Sequence, residues 1–242
     1  MSYIFREHIK QSLAVIAFLI TLTACTSESY DAGDGPNSYL TADLVLLHTS
    51  QDKSVRSALL DDGTTLQFSN PFAQDWLTRP DSVYRALLYY DKTVAASDAA
   101  ASNPTATSIV RARSVRPVSV LRPVEAEDME TLRTDPVGFE SIWLSKNKSY
   151  INLSLLLKSG KTEADDALHT LGIVSHGTTT DADRRRTLHL TLYHDQGGVP
   201  AYYTVQQYVS IPTQLLEEAD TVELTLNTYN GKKVVKVAVS NL

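Results

Sequence analysis

Alternation of apolar and polar residues dominates the chain from residue 42 onward, and this is the pattern of β-strands. In the first half, apolar-rich segments at 42–47, 58–60, 64–68, 83–90 and 108–115 are separated by turn-forming residues. The clearest turn is Asp61-Asp62-Gly63, where glycine allows the positive φ of a tight hairpin. These five segments predict a small β-domain over residues 39–121.

Five short strands with one longer connection after the third fit an OB-type barrel, which is a closed five-stranded β-barrel. The long connection covers residues 69–81 and carries Phe72, Trp76 and Leu77. Such a segment usually plugs one open end of the barrel, so Phe72 and Trp76 are predicted to be core residues, with a ligand platform as the alternative. Residues 93–107 have small side chains and are predicted to form an elongated hairpin tip.

A second series of alternating segments follows a charged stretch at residues 122–134, which lacks a strand pattern and is interpreted as a linker. In residues 135–242, about seven apolar segments recur at the spacing of a β-sandwich. They lie at 142–144, 151–157, 168–174, 188–192, 202–210, 222–226 and 235–239. The predicted fold is therefore all-β, with an N-terminal five-stranded barrel followed by a C-terminal sandwich of about seven strands that should fold alone.

The N-terminal residues 1–24 follow a different pattern. Arg6 and Lys10 precede an apolar run at 13–20, which indicates a secretory signal peptide. The run is too short for a membrane span, which needs roughly 20 residues. Leu22 and Ala24 before Cys25 form a lipobox, so cleavage is predicted between Ala24 and Cys25. Cys25 would then carry the lipid, including acyl chains such as palmitate; an ordinary signal that happens to end near a cysteine is the alternative.

Residues 25–38 are polar, acidic and rich in turn formers, and they are predicted to be a flexible tether. Lipidation of Cys25 predicts a protein anchored to a membrane of the bacterial cell envelope. Thr26 replaces the aspartate that favours retention in the inner membrane, so the outer membrane is predicted. Glu28 and Asp31 form only a thin acidic cluster, and the periplasmic and surface faces of that membrane both stay open.

The charge balance and the motif content exclude several classes of function. The chain has 22 basic and 28 acidic residues, a net charge of −6, which argues against nucleic-acid binding. Cys25 is the only cysteine, so no disulfide is expected. No nucleophile elbow, phosphate loop, HExxH or CxxC occurs. We therefore predict a non-enzyme without cofactors; an enzyme would have to gather acid–base residues that are distant in sequence.

Four histidines in the second domain raise the question of a metal site. His189 and His194 are five positions apart, and His169 and His176 are seven apart. Side chains separated by an odd number of positions point to opposite faces of a regular strand. No metal site is therefore predicted.

Two arginines are the candidate ligand contacts. Arg111 and Arg113 share strand parity on the strand that closes the barrel, so their side chains should project about 7 Å apart along one face. They would suit an anionic partner or a glycan; the alternative is that they only balance the acidic tether. Stacking on sugars by tyrosines 84, 89, 90, 202, 203 and 208 is the weaker alternative, because aromatic residues are common in strands.

Two short triplets suggest covalent modification. Ser82 lies in Asp81-Ser82-Val83 and Thr221 lies in Asp220-Thr221-Val222. Both triplets match an Asp-Ser/Thr-apolar sequon of bacterial O-glycosylation, so Ser82 and Thr221 are candidate glycosylation sites.

Several motifs follow one another along the chain: the lipobox, the acidic tether, the LLDDGTTL hairpin at 59–66, RPV at 122–124, DPVGFESIWLSKNKSYINLSLLL at 135–157 and YNG at 229–231. Together they resemble the NigD-like lipoproteins. The resemblance implies an OB-type barrel followed by a β-sandwich, and it supplies no catalytic motif.

The expected function is that of a lipid-anchored envelope protein that binds an envelope protein or a glycan. The family is named after a gene found beside bacteriocin genes, which suggests a bacteriocin-associated immunity protein as one alternative. A glycan-binding accessory lipoprotein is the other. The expected partners are the membrane, through the lipid on Cys25, and such a protein or glycan, but no nucleic acid.

Overall fold

The computed structural model describes residues 40–92, 108–161, 168–216 and 219–239, and these residues fold into 14 strands and two short 3₁₀ turns. The all-β prediction is confirmed. No helix in these ranges is long and apolar enough to cross a membrane. The predicted signal peptide, Cys25, the tether and the hairpin tip at 93–107 lie outside the described residues.

The first five strands form a closed barrel. They are β1 (Leu40–Thr49), β2 (Val55–Leu60), β3 (Thr65–Phe72), β4 (Val83–Lys92) and β5 (Ser108–Pro117). The barrel order is β1-β2-β3-β5-β4, with β4 pairing back to β1 and β3 running parallel to β5. Every neighbouring strand is therefore paired, which leaves the barrel no free edge.

Alternate residues of these strands fill the barrel, and Val45, Leu47 and Leu88 are fully buried. Phe72 and Trp76 pack against this core, with the Phe72 ring tilted by 58° to that of Phe68 and Trp76 edge-on to Tyr84. The core role predicted for Phe72 and Trp76 is thus confirmed.

The remaining nine strands form two packed sheets. They are β6 (Ser119–Val120), β7 (Pro123–Glu125), β8 (Gly138–Leu144), β9 (Tyr150–Ser159), β10 (Thr170–Thr180), β11 (Arg186–Asp195), β12 (Tyr203–Pro212), β13 (Thr221–Thr228) and β14 (Gly231–Ala238). One sheet has the order β14-β13-β11-β10-β7 and the other β6-β12-β9-β8. The seven long strands are those predicted from the alternation.

The two short strands come from the stretch that the sequence pattern assigns to the end of the barrel and the linker. β6 pairs with β12 and β7 pairs with β10, so the chain contributes to both sheets within a few residues. Leu121 between them is buried in the sandwich core. Strands of two or three residues are too short to show alternation, which is why residues 119–125 do not have a strand pattern in the sequence.

Candidate functional site

The outer face of the four-stranded sheet has two very different ends. In β9, Ile151, Leu153, Leu155 and Leu157 point into the sandwich core, so the residues between them point outward. Asn152 and Ser154 on this outer face are nevertheless buried, whereas Lys158 near the end of the strand is partly exposed. The barrel covers the first end, and the second end is open to solvent.

At the covered end, a barrel arginine reaches the sandwich. Ala86 and Leu88 point into the barrel, so Arg85 beside them on β4 points out of it, yet Arg85 is only 4% exposed. Its Nε donates to Ser210 Oγ at 3.1 Å and its Nη2 donates to Asn152 Oδ1 at 3.0 Å. The guanidinium also lies 4.4 Å from the centre of the Tyr150 ring. The side chains that cover Arg85 therefore come from β9 and β12 of the sandwich.

The charge of Arg85 is matched by Asp61 in the turn between β2 and β3. Arg85 donates to both carboxylate oxygens, at 2.6 and 2.7 Å. Asn152 Nδ2 donates to Asp61 Oδ2 at 2.9 Å, and Ser210 Oγ donates to Asn152 Oδ1 at 2.7 Å. We call these four residues the Arg85 cluster. The Arg85 charge is buried and the Asp61 side chain is 20% exposed, and the hydrogen bonds of this pair to Asn152 and Ser210 join the two lobes.

At the open end, an exposed tyrosine and a lysine lie side by side. Thr204 pairs with Lys158 across the strands, and Lys158 Nζ donates to Thr204 Oγ1 at 3.1 Å. Tyr202 N donates to Ser159 O, which places Tyr202 beside Gly160. A Cβ on Gly160 would lie 2.8 Å from Tyr202 Cδ2, so the glycine provides the space for this ring. Tyr202 is 78% exposed.

Tyr229, from the turn between β13 and β14, borders the same lysine. The backbone N–H of Lys158 donates to Tyr229 Oη at 3.3 Å, and Lys158 Nζ lies 5.8 Å from the Tyr229 ring centre. Tyr229 is 42% exposed. A hollow of about 300 Å³ lies next to it and is lined by residues 137–139 and 228–233. Lys158 therefore lies between two exposed tyrosines.

A polar trio occupies the middle of the face. Ser154 Oγ and Gln206 Nε2 both donate to Glu140 Oε2, at 2.6 and 2.5 Å. Hydrogen bonds from Ser154 and Gln206 lower the pKa of the Glu140 carboxyl. Glu140 lies at an irregularity in the β8–β9 pairing, between Phe139 and Ser141.

Trp143 and Tyr208 lie further along β8 and β12, towards the covered end, with their rings edge-to-face at 6.4 Å. We call the uncovered part of this surface the open face. It comprises Tyr202, Thr204, Gln206 and Tyr208 with Lys158, Glu140, Trp143 and Tyr229, and the buried Ser154 lies beneath Glu140 and Gln206.

The arginines predicted as ligand contacts are both exposed on β5, but Arg113 already has a partner. It forms an ion pair with Asp91 on β4, with Nε 2.5 Å from Asp91 Oδ2. The pairing of β4 and β5 shifts between Tyr89 and Tyr90, so that Arg113 has no residue opposite it. A bulge of this kind breaks the simple parity that the sequence suggests. Whether Arg111 and Arg113 contact a ligand stays a prediction.

The tyrosines divide into structural and exposed groups. Tyr90 is buried in the barrel and donates to Asp43 Oδ2 at 2.8 Å; its burial and this carboxylate raise the pKa of the Tyr90 hydroxyl. Tyr84 Oη accepts a bond from the Arg79 N–H at 2.7 Å. Tyr202 and Tyr203 are at least half exposed.

Two of the histidines meet across the sheet. His169 Nδ1 lies 3.0 Å from His194 Nε2, with stacked rings. Burial and the nearby His194 lower the pKa of His169. Parity within a strand does not reveal this contact, because it joins residues before β10 and at the end of β11. No group of three or more candidate metal ligands occurs within the described ranges.

The candidate glycosylation residues lie in different settings. Ser82 directly precedes β4, follows Asp81 with φ of 45°, and donates to Pro80 O at 2.8 Å. Thr221 begins β13, a central strand, and pairs with Thr187 on one side and Ala238 on the other. Both remain predictions.

The closed barrel, the two-sheet sandwich and the buried cluster between them define a two-lobed barrel–sandwich protein. Residues 120–239 match the family model of the NigD-like C-terminal beta sandwich domain. The chain belongs to the NigD-like family. The match begins within β6, so the family's domain includes β7, which lies in the predicted linker.

Solved structures share this fold. A NigD-like immunity protein from Bacteroides caccae is 23% identical, with a TM-score of 0.58 over 81% of this chain and 91% of that one. A candidate lipoprotein from Bacteroides fragilis is 14% identical, with a TM-score of 0.57 over 84% and 98%. A candidate toxin-related protein from Parabacteroides distasonis is 20% identical, with a TM-score of 0.53 over 82% and 92%. Among curated protein sequences, none matches the chain.

Proposed function

We propose that the chain is a lipid-anchored, non-catalytic binding protein of the bacterial cell envelope. The proposal rests on one observation: the Arg85 cluster attaches the barrel to one end of the outer face of the four-stranded sheet and leaves the other end of that face open. The barrel is fixed on one end of that face, while Tyr202 and Tyr229 are exposed and Lys158 is partly exposed at the other. Exposed aromatic side chains beside polar groups are typical of binding surfaces.

The anchor is supported by the lipobox at Leu22-Thr23-Ala24-Cys25 and by the fold shared with a candidate lipoprotein. Fatty-acid labelling of the wild type and of Cys25→Ala tests it directly. We expect label on the wild type and none on Cys25→Ala; equal labelling would contradict the anchor.

The non-catalytic role is supported by the chemistry of the open face. Its one carboxylate, Glu140, has a lowered pKa because two donors stabilise its charged form. General acid–base catalysis works best with a pKa near the working pH, so Glu140 suits an acceptor of hydrogen bonds better than a donor of protons.

Binding by the open face can be tested in living cells with a photoreactive amino acid in place of Thr204. The matched control carries the same group in place of Lys236, which is exposed on β14 of the other sheet. We expect a specific crosslinked product from position 204 and not from position 236. If neither position gives a product, the open face is not a binding surface.

A bacteriocin-associated immunity role is a second candidate. It is favoured by the fold shared with a NigD-like immunity protein and with a candidate toxin-related protein. Such a protein would bind a polypeptide through a complementary surface. Deletion of its gene should then make a bacteriocin-producing strain sensitive to its own product, and unchanged resistance would contradict the role.

A further inference from the structure

We propose that the open face binds a neutral oligosaccharide chain, laid along β12 from Tyr202 towards Tyr208. The inference rests on the proposed binding function and adds the chemical class of the ligand. It is drawn from the arrangement of aromatic, donor and acceptor groups on this face.

Aromatic rings mark both ends of the face. Tyr202 and Tyr229 are exposed at one end, and Trp143 and Tyr208 are partly exposed at the other. The C–H face of a pyranose ring is apolar and packs on an aromatic ring, while the tyrosine hydroxyl can still reach water or a sugar oxygen. Tyr202 is placed for this contact because Gly160 beneath it leaves room for the ring.

Polar groups between the rings match the hydroxyl groups of sugars. A hydroxyl both donates and accepts. Glu140 offers an acceptor, because both of its described side-chain hydrogen bonds end on Oε2 and Oε1 can accept a further one. Lys158 offers donors, because its ammonium group has three N–H groups and one of them donates to Thr204 Oγ1. The two amide N–H groups of Gln206 already donate to Glu140 and Ser154, so Gln206 helps to position Glu140. An apolar peptide segment would leave the other N–H groups of Lys158 without partners.

The charges favour a neutral chain over a polyanion. Lys158 and Glu140 carry opposite charges on one face, so the local charge is balanced. The whole chain has a net charge of −6, which repels polyanions at long range. A neutral saccharide pays no such electrostatic penalty.

The shape of the face suits an extended chain. Tyr202 directly precedes β12, and it is separated from Tyr208 by about 20 Å at the usual rise per residue. The side chains between them, Thr204 and Gln206, share parity and stand in one row. Several sugar units can therefore contact the row at once.

The experiment measures binding of the mature lipidated chain, purified in detergent, to defined polysaccharides by affinity electrophoresis and calorimetry. The neutral probes are dextran, mannan, xylan and β-glucan, and the acidic probe is polygalacturonate. We expect binding to at least one neutral probe. Tyr202→Ala should weaken that binding about tenfold or more, because it removes a stacking ring.

Matched variants separate the open face from the rest of the surface. Tyr203→Ala removes a neighbouring exposed tyrosine of opposite strand parity, and Lys236→Gln removes a lysine on the other sheet. Both should bind like the wild type, whereas Lys158→Gln and Glu140→Gln should bind less tightly. Thermal unfolding of each variant checks that it is folded.

The outcomes distinguish the two proposals. Binding that is equal in Tyr202→Ala and Tyr203→Ala overturns the assignment to the open face. Binding to polygalacturonate alone overturns the neutral class. No binding to any probe, with a polypeptide crosslinked from position 204, overturns the saccharide while the binding function stands. No binding together with no crosslink overturns both.

Discussion

The guanidinium of Arg85 bonds to both carboxylate oxygens of Asp61, at 2.6 and 2.7 Å, and both residues belong to the barrel. The sandwich supplies Asn152 and Ser210, which complete the hydrogen bonding of the pair. An arginine buried in this way is tolerated only when its charge and its N–H groups are matched. The junction between the lobes therefore depends on all four side chains.

Replacement of Asp61 should lower the free energy of unfolding of the protein. Asp61→Ala leaves the Arg85 charge buried without its counter-charge, and breaking a buried pair of this kind costs about 3–5 kcal/mol. Chemical denaturation measures the change, and Asp75→Ala, at an exposed barrel position, serves as the control with a change under about 0.5 kcal/mol. Equal stabilities of the two variants would show that the pair does not stabilise the junction.

The boundary of the sandwich can be tested with two fragments. Residues 118–242 keep β6, β7 and the buried Leu121, whereas residues 135–242 lose them. We expect the longer fragment to unfold cooperatively and the shorter one to be less stable, because removing a buried leucine alone typically costs about 2–5 kcal/mol. Urea denaturation compares the stabilities of the two fragments, and the dispersion of amide chemical shifts in their NMR spectra shows whether each is folded. Equal stability would place the boundary at residue 135.

Charge reversal should separate Arg113 from Arg111. Arg113→Glu would bring a second carboxylate next to Asp91, whose Oδ1 is already buried without a described partner. We expect a loss of about 1 kcal/mol, the upper range for partly exposed ion pairs, and a change under about 0.5 kcal/mol for Arg111→Glu. If Arg113→Glu is as stable as wild type, its ion pair is not structural and the arginine is available to a ligand.

The His169–His194 pair should make stability depend on pH. The pKa of His169 is lowered in the folded state, first by burial and then by His194. The unfolded chain therefore takes up a proton at higher pH, so stability is full above about pH 6.5 and declines as the pH falls below it. His169→Gln should flatten this decline while His176→Gln keeps it; identical curves for both variants would contradict the prediction. Melting temperatures between pH 5 and 8 provide the measurement.

Glycosylation should favour Ser82 over Thr221. Ser82 directly precedes a strand and is followed by the exposed Val83, whereas Thr221 lies in a strand paired on both sides. Intact mass of the native protein should fall by a glycan in Ser82→Ala and stay unchanged, apart from the substitution itself, in Thr221→Ala. The absence of a glycan from the wild type would remove the sequon hypothesis.

The long strands could be predicted because each has one face in a core. Leu188, Leu190 and Leu192 alternate with polar residues and are all buried. The sequence therefore predicts the buried face of this strand through its period of two. The Asn230-Gly231 turn between β13 and β14 is equally local. Local patterns of this kind are sufficient for the barrel and for the seven long strands.

The candidate site could not be predicted in this way because it depends on contacts between distant residues. Arg85 and Ser210 are 125 positions apart, and Arg85 has the parity of a solvent-facing strand residue. His169 and His194 meet only through the register of β10 with β11. The bulge at Arg113 likewise arises from pairing with β4. Among the residues of the open face, Tyr202 and Tyr208 had a sequence signal, as two of several candidate tyrosines.

Only Val118 separates β5 from β6, and its N–H donates to the Arg85 carbonyl oxygen at 3.0 Å. The connection from the barrel to the sheet is thus a single residue. It lies beside the junction where the side chains of Arg85 and Asp61 bond to the sandwich. Interdomain hinges need a few residues free to change their φ and ψ angles, and no such residues lie between these two strands. A ligand bound to the sandwich would therefore keep a fixed orientation relative to the barrel.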